Sequence, residues 1–174
     1  RGSVIRAALT LLLFGNIPVY AAGAEVSPPT AHQRVIGISR HENIRVVYDV
    51  EDNVIEAGIG KALYYVRGLL QAYRALGVKS DQIHVSVVVH GAAAYWLLKT
   101  GAYQKAVGDP FAFNPNEGIV QDLVGHGVSI ELCRATMKAK GWTQPDVLPG
   151  VRIVHDGYTR IIDLENRGYA YIRF

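Results

Sequence analysis

Apolar and polar positions change period several times along this chain, and each change marks an element. Residues 44–50 (Ile-Arg-Val-Val-Tyr-Asp-Val) are dense in β-branched and aromatic side chains, which predicts a strand. Ile59, Leu63, Val66, Leu70 and Tyr73 then recur every three or four residues, one apolar face of a helix, with Gly77 where a helix C-cap belongs. Gly58, Gly60 and Gly68 bare the backbone there, which suits close packing on a sheet or on another subunit. Residues 83–90 (Ile-His-Val-Ser-Val-Val-Val-His) predict a second strand, and its run of three valines suits a strand covered on both faces. Gly91 ends it, and 92–99 predicts a helix. Residues 101–116 carry Gly101, Gly108, Pro110 and Pro115, which predicts a long loop with a short helical piece. A further helix is predicted over 116–124, closing at Gly125 or Gly127.

The same alternation continues to the end of the chain. Val128-Ser129-Ile130-Glu131-Leu132 predicts a third strand, Cys133 follows it, and 134–140 predicts a short helix stopped by Gly141. Pro149-Gly150 leads into a fourth strand over 151–154. Asp156-Gly157 turns into a helix through Ile161, Leu164 and Glu165, which Gly168 ends, and 169–172 predicts the last strand. Strands alternating with helices predict an α/β fold, a three-layer α/β/α sandwich with a mostly parallel five-stranded sheet. Right-handed crossovers would place helices on both faces of that sheet.

The first residues do not share these periods. Arg1 and Arg6 precede an apolar stretch from Ala7, and the small residues Ala21-Ala22-Gly23-Ala24 follow it. A basic end, an apolar core and a small-residue site are the three parts of a secretory signal, so 1–24 is expected to be a signal peptide. The stretch is short for a membrane span, which needs about 20 apolar residues. Ser27-Pro28-Pro29-Thr30 suits neither a helix nor a central strand, so 25–43 is expected to be a linker and 44–174 the folded domain. A periplasmic or secreted location is therefore expected, with no membrane attachment after cleavage.

Charge changes meaning once that segment is set aside. The chain has 18 Lys and Arg against 15 Asp and Glu, but two of the Arg lie in 1–24 with no acid beside them. The remaining basic residues are scattered, whereas nucleic-acid binding calls for a clustered basic face. No nucleic-acid partner is expected.

Cysteine usage narrows the chemistry. A single Cys cannot form an internal disulfide, and no CxxC or Cys/His cluster points to structural zinc. Cys133 lies between a predicted strand and the start of a helix, where free backbone N–H groups favour the thiolate, the nucleophilic form. Arg134 is adjacent and Lys138 lies one turn on. A buried, inert, core-filling thiol is the competing reading.

Ligands of open parallel sheets gather outside the carboxyl ends of the strands. Asp49, His90, Cys133 and His155 each end a predicted strand, whereas His126 precedes one and belongs to the opposite edge. His90 is either a proton-handling group or a strand-end histidine bonded to a loop. His155-Asp156 is either an acid–base pair or a turn with an Asp helix cap. A His90/His155 metal site lacks a third ligand, so no metal is expected. Asn114 and Asn116 flank Pro115 and suit turns.

Several segments in this order carry a resemblance: Tyr48-Asp49, Ala62-Leu63, the run Val87-Val88-Val89-His90-Gly91, and Gly127-Val128 leading to Cys133. Pro149-Gly150-Val151, Arg160-Ile161 and Gly168-Tyr169-Ala170-Tyr171-Ile172 complete it. Over residues 44–174 the chain resembles the DsrE/DsrF-like family, of YchN-like fold, and in particular its small exported branch. The resemblance implies a five-stranded parallel sheet and assembly as a homo-trimer or homo-hexamer. It also implies sulfur relay: TusD-type members carry sulfur as a persulfide on a Cys at the position matched by Cys133. Many members have Gly right after that Cys, whereas Arg134 stands here, where it crowds an acceptor or steers an anion. On this reading Cys133 and His90 are the expected catalytic residues, and Arg134, Asp49 and Asn114 the expected binding residues. A sulfur donor or acceptor protein is the expected partner, and no cofactor is expected. The alternative is a non-enzymatic oligomeric binding or assembly module of the same fold with an inert Cys133.

Overall fold

The computed structural model describes residues 35–174, so the signal segment over 1–24 and the first part of the linker lie outside the described residues. The elements run in chain order as β1 (Ile44–Val50), β2 (Ile55–Glu56), β3 (Ile59–Gly60), α1 (Lys61–Ala75), β4 (Ile83–Val89), α2 (Thr100–Val107), α3 (Glu117–Gly125), β5 (Ser129–Cys133), α4 (Arg134–Lys140), β6 (Arg152–Val154), α5 (Gly157–Asn166) and β7 (Ala170–Arg173). Five of the strands form one sheet in the order β6-β5-β4-β1-β7, and every pairing in it is parallel. The expected α/β fold with a five-stranded parallel sheet is therefore present. Among the described residues, no helix is long and apolar enough to cross a membrane.

The two faces of the sheet are covered unequally. Side chains alternate along a strand, so Val46, Tyr48 and Val50 of β1, Val85, Val87 and Val89 of β4, and Ile130 and Leu132 of β5 share one face. That face meets Leu63 and Val66 of α1, Ile119, Val120 and Leu123 of α3, and Ala93, Ala94, Trp96 and Leu97 of the connection after β4. Fully burying each such Val or Leu side chain contributes about 1.5–3 kcal/mol, so the bulk of the stabilisation lies here. The other face has a small cluster: Val47, Val88, Ile161, Leu164 and Tyr169, contributed by β1, β4, α5 and the segment after it. α5 is the helix that packs on this face. That face also carries polar residues, among them Asp49, Ser86, His90, Ser129 and Glu131, together with Cys133.

Three local readings are corrected. Residues 55–60 form a hairpin, so Ile59 belongs to β3 and the helix begins at Lys61. The hairpin turns on Ala57 and Gly58, both at positive φ, the type I′ pattern. Residues 91–97 form a 3₁₀ helix rather than an α-helix over 92–99. The short helical piece expected within 101–116 is the two-turn helix α2, closed by Gly108 in the left-handed conformation. The last strand starts at Ala170, because Tyr169 packs under α5 instead. The compact unit begins at Ile38, earlier than the predicted boundary, because Ile38 packs against the larger core.

Candidate functional site at the carboxyl edge of the sheet

Parallel register places the strand ends side by side. β1 and β4 pair Val50 with Val89, and β4 and β5 pair Val89 with Leu132. The next residues of β4 and β5, His90 and Cys133, therefore leave the sheet as neighbours. Both lie on the face that α5 covers. Asp49 lies on the same face of β1, in register with Val88.

Asp49 organises this edge. Its Oδ1 is 2.7 Å from His90 Nε2, and its Oδ2 accepts a hydrogen bond from the Tyr171 hydroxyl at 2.6 Å. Asp49 and His90 are both buried, at 3% and 6% exposure. An ionised carboxylate only accepts, so Nε2 carries a proton toward it, and in the neutral ring Nδ1 is the nitrogen with the lone pair. Nδ1 makes no hydrogen bond with the described residues, while no fully buried side-chain N or O atom lacks a partner, so Nδ1 stays open to solvent. Donating to Asp49 holds the Tyr171 proton in place and pushes its pKa above the ordinary phenol value, with burial adding to the shift.

Surrounding contacts fix the imidazole. The His90 ring meets the edge of Tyr158 of α5, with centroids 5.1 Å apart. Gly91 adopts φ +57°, which brings its backbone against Glu51, where a Cβ would lie 2.9 Å from Glu51 Cγ. The Gly91 N–H reaches Thr136 Oγ1 at 3.3 Å, which ties the turn after His90 to the helix after Cys133.

Cys133 is the N-cap of α4 and is 4% exposed. Two residues earlier on the same face, Glu131 is 1% exposed and accepts both Nε and Nη2 of Arg160 at 2.7 and 2.9 Å. This bidentate pair clamps α5 to β5 and raises the Arg160 pKa, chiefly through those hydrogen bonds.

The predicted site residues divide into two groups. Asp49 and His90 are bonded, and Cys133 ends the neighbouring strand beside them, with no hydrogen bond from its Sγ to either among the described residues. Asp49 places one oxygen on His90 and the other on Tyr171, so it orients the histidine. Arg134 and Lys138 are exposed, and their side chains make no hydrogen bond or ion pair with the described residues. Asn114 is buried in the connection before α3. Its amide donates to the carbonyls of Trp96 and Leu98, and its Oδ1 accepts from Asn116 N. Asn114 thus holds backbone and joins no site with Cys133. His155 is exposed, and Asp156 caps α5 by accepting from Thr159 N at 3.0 Å. His126 is exposed and bonded to Asp122 O at 2.8 Å. Among the described residues, no three His, Cys, Asp or Glu side chains gather as a metal site requires.

Tyr171, Tyr158, Glu131 and Arg160 were not legible as site residues. Glu131 carried one signal, since a carboxylate inside a buried strand needs a partner. Tyr171 carried none, because its bond to Asp49 spans 122 residues of sequence.

Fold and site together define a parallel α/β protein with one cysteine beside an Asp-anchored histidine at the carboxyl edge of its sheet. The model of the DsrE/DsrF-like family matches residues 57–174, and the chain belongs to this family. Among solved structures it is similar to the protein of unknown function MTH1491 from Methanobacterium thermoautotrophicum, at 24% identity and a TM-score of 0.57. It is also similar to the ychN protein from E. coli, at 14% identity and a TM-score of 0.53. Each likeness covers 75% of this chain and 99% of the other, and each shows the fold. A comparison with curated proteins finds no match.

Proposed function

We propose that this chain is a sulfur-relay protein that carries sulfane sulfur as a persulfide on Cys133, in the exported compartment its N-terminal pattern addresses. The observation that supports the reading is the register of β4 and β5, which sets the backbone of Cys133 beside that of His90, a histidine whose Nε2 is bonded to Asp49. Membership of a family associated with sulfur relay supports it.

The chemistry balances without an outside oxidant. His90 Nδ1 accepts the Cys133 thiol proton. The thiolate attacks the outer sulfur of a donor persulfide, the donor S–S bond breaks, and the departing donor thiolate takes up the proton. Cys133 leaves as the persulfide and the donor as a thiol. Asp49 holds the imidazole in the required tautomer throughout.

A second reading has its own support. At 4% exposure the Cys133 side chain is nearly covered, which favours a binding or assembly module with an inert thiol. Intact-mass analysis after incubation with inorganic polysulfide separates the two. The relay reading expects a gain of about 32 Da, one sulfur, on wild type and none on Cys133→Ser, removed by a reductant. No gain on wild type favours the binding module, and equal gain on both proteins places the reactivity elsewhere.

A further inference from the structure

A cavity of about 380 Å³ lies at the far end of the 3₁₀ segment that begins after His90. Neither Cys133 nor His90 lines it. Its walls include Asn53, Tyr95, Trp96, Tyr103 and Asn116, closed on one side by Ala106 of α2. The volume falls in the range of small-molecule pockets, about 300–1,000 Å³.

The walls are preorganised. Trp96 is 2% exposed, and its indole N–H donates to Asn53 Oδ1 at 2.6 Å. Gly60 packs so closely on the indole that a Cβ would come within 2.6 Å of Trp96 Cε3. Tyr95 is held edge-on by Trp142, with centroids 5.0 Å apart.

One polar group there is left over. Asn116 is 1% exposed, and its Oδ1 accepts the Gly60 N–H at 2.5 Å. Its Nδ2 makes no hydrogen bond with the described residues, and no fully buried side-chain N or O among them lacks a partner, so this donor keeps an accessible face in the cavity that Asn116 lines. A carbonyl oxygen bound in the cavity would accept from this donor in place of water. No lining side chain is charged.

We infer that this cavity is a binding site for an uncharged, ring-bearing small molecule whose carbonyl oxygen accepts from Asn116 Nδ2 while its ring packs against Tyr95 and Tyr103, over the buried edge of Trp96. This site is separate from the proposed sulfur chemistry and does not depend on it. Flat aromatic walls favour a planar ring, and the absence of charge disfavours phosphates and carboxylates.

The test uses acetanilide, which has a ring and a carbonyl, against ethylbenzene, which has the ring alone. In Trp142→Phe the remaining indole is Trp96, so its fluorescence reports the cavity directly. Saturable quenching by acetanilide is expected, at about tenfold higher affinity than ethylbenzene. Ala106→Phe fills the cavity from α2 and is expected to weaken acetanilide about tenfold or more with an unchanged melting temperature. Asn116→Asp keeps the acceptor for Gly60, removes the donor, and is expected to erase the preference for acetanilide. Absence of saturable quenching overturns the inference, as does full affinity in Ala106→Phe. Quenching that appears only in Phe111→Ser also overturns it, because an exposed ring from a second copy would then be the occupant.

Discussion

His90 donates from Nε2 to Asp49 Oδ1 across 2.7 Å, so a residue of β1 decides which nitrogen of the β4 histidine keeps its lone pair. Asp49→Asn retains the shape but lets the imidazole adopt either tautomer. Polysulfide loading of Cys133 is expected to slow about tenfold or more in this variant, with the final gain in mass unchanged. Time-resolved intact mass reads both quantities, and an unchanged rate would remove His90 from the proton-transfer role.

Tyr171→Phe removes the second hydrogen bond to Asp49 without touching His90. The lost bond is half exposed, so destabilisation of about 0.5–1.5 kcal/mol is expected in urea unfolding. Loading of Cys133 should change less than in Asp49→Asn.

Alkaline pH should destabilise the fold through Tyr48. Burial, with the nearby Tyr73 adding to it, pushes the Tyr48 phenol up to about 12. An unfolded chain gives up that proton near pH 10. Unfolding between about pH 10 and 12 therefore releases a proton that the folded chain retains, and stability falls as pH rises through this window. Tyr171, raised by its bond to Asp49, contributes in the same direction. Tyr48→Phe should flatten the dependence of urea midpoints on alkaline pH, and an equally steep fall in the variant would show that other groups cause it.

Arg160→Ala leaves Glu131, at 1% exposure, without its bidentate partner. Loss of one partner from a buried pair costs about 3–5 kcal/mol, and a quarter-exposed Arg160 lets water offset part of it, so about 2–3 kcal/mol is expected. Arg173→Ala breaks an exposed pair with Glu51 at 2.7 Å and should be nearly silent in the same denaturant series.

Self-association as a trimer or hexamer is expected from the family resemblance. Tyr158 and Tyr171 are large exposed side chains beside the Asp49–His90 pair, and Ile162 is exposed one turn after Tyr158 on α5. Light scattering should give a multiple of the chain mass, lowered by Ile162→Glu. A single-chain mass that persists on concentration would exclude assembly.

Local chemistry made much of the fold legible. β1 over Ile44–Val50 and α4 over Arg134–Lys140 fall where residue type and punctuation put them. Their signals are short-range, a β-branched run and a stop at Gly141. The hairpin over 55–60 escaped notice because Ala57 stands at φ +49° where Asn or Asp is usual. α2 was legible only as a short helical piece, because Gly101 and Gly108 punctuate it like a loop, although Gly108 is its C-cap.

The sequence by itself determined that Asp49 and His90 lie at strand ends and that Cys133 joins a strand to a helix, because each position depends on a few neighbouring residues. Only the tertiary structure decided that these ends are adjacent. Strand order and register in a parallel sheet come from crossovers through intervening helices, so no local period encodes that His90 leaves the sheet beside Cys133. Nor does any local signal encode that Asp49 faces His90 or that Tyr171, 122 residues away, completes the carboxylate. The unequal cover of the two faces belongs to the tertiary structure too: α5 packs over Val47 and Val88, and the polar strand ends at its margin form the site.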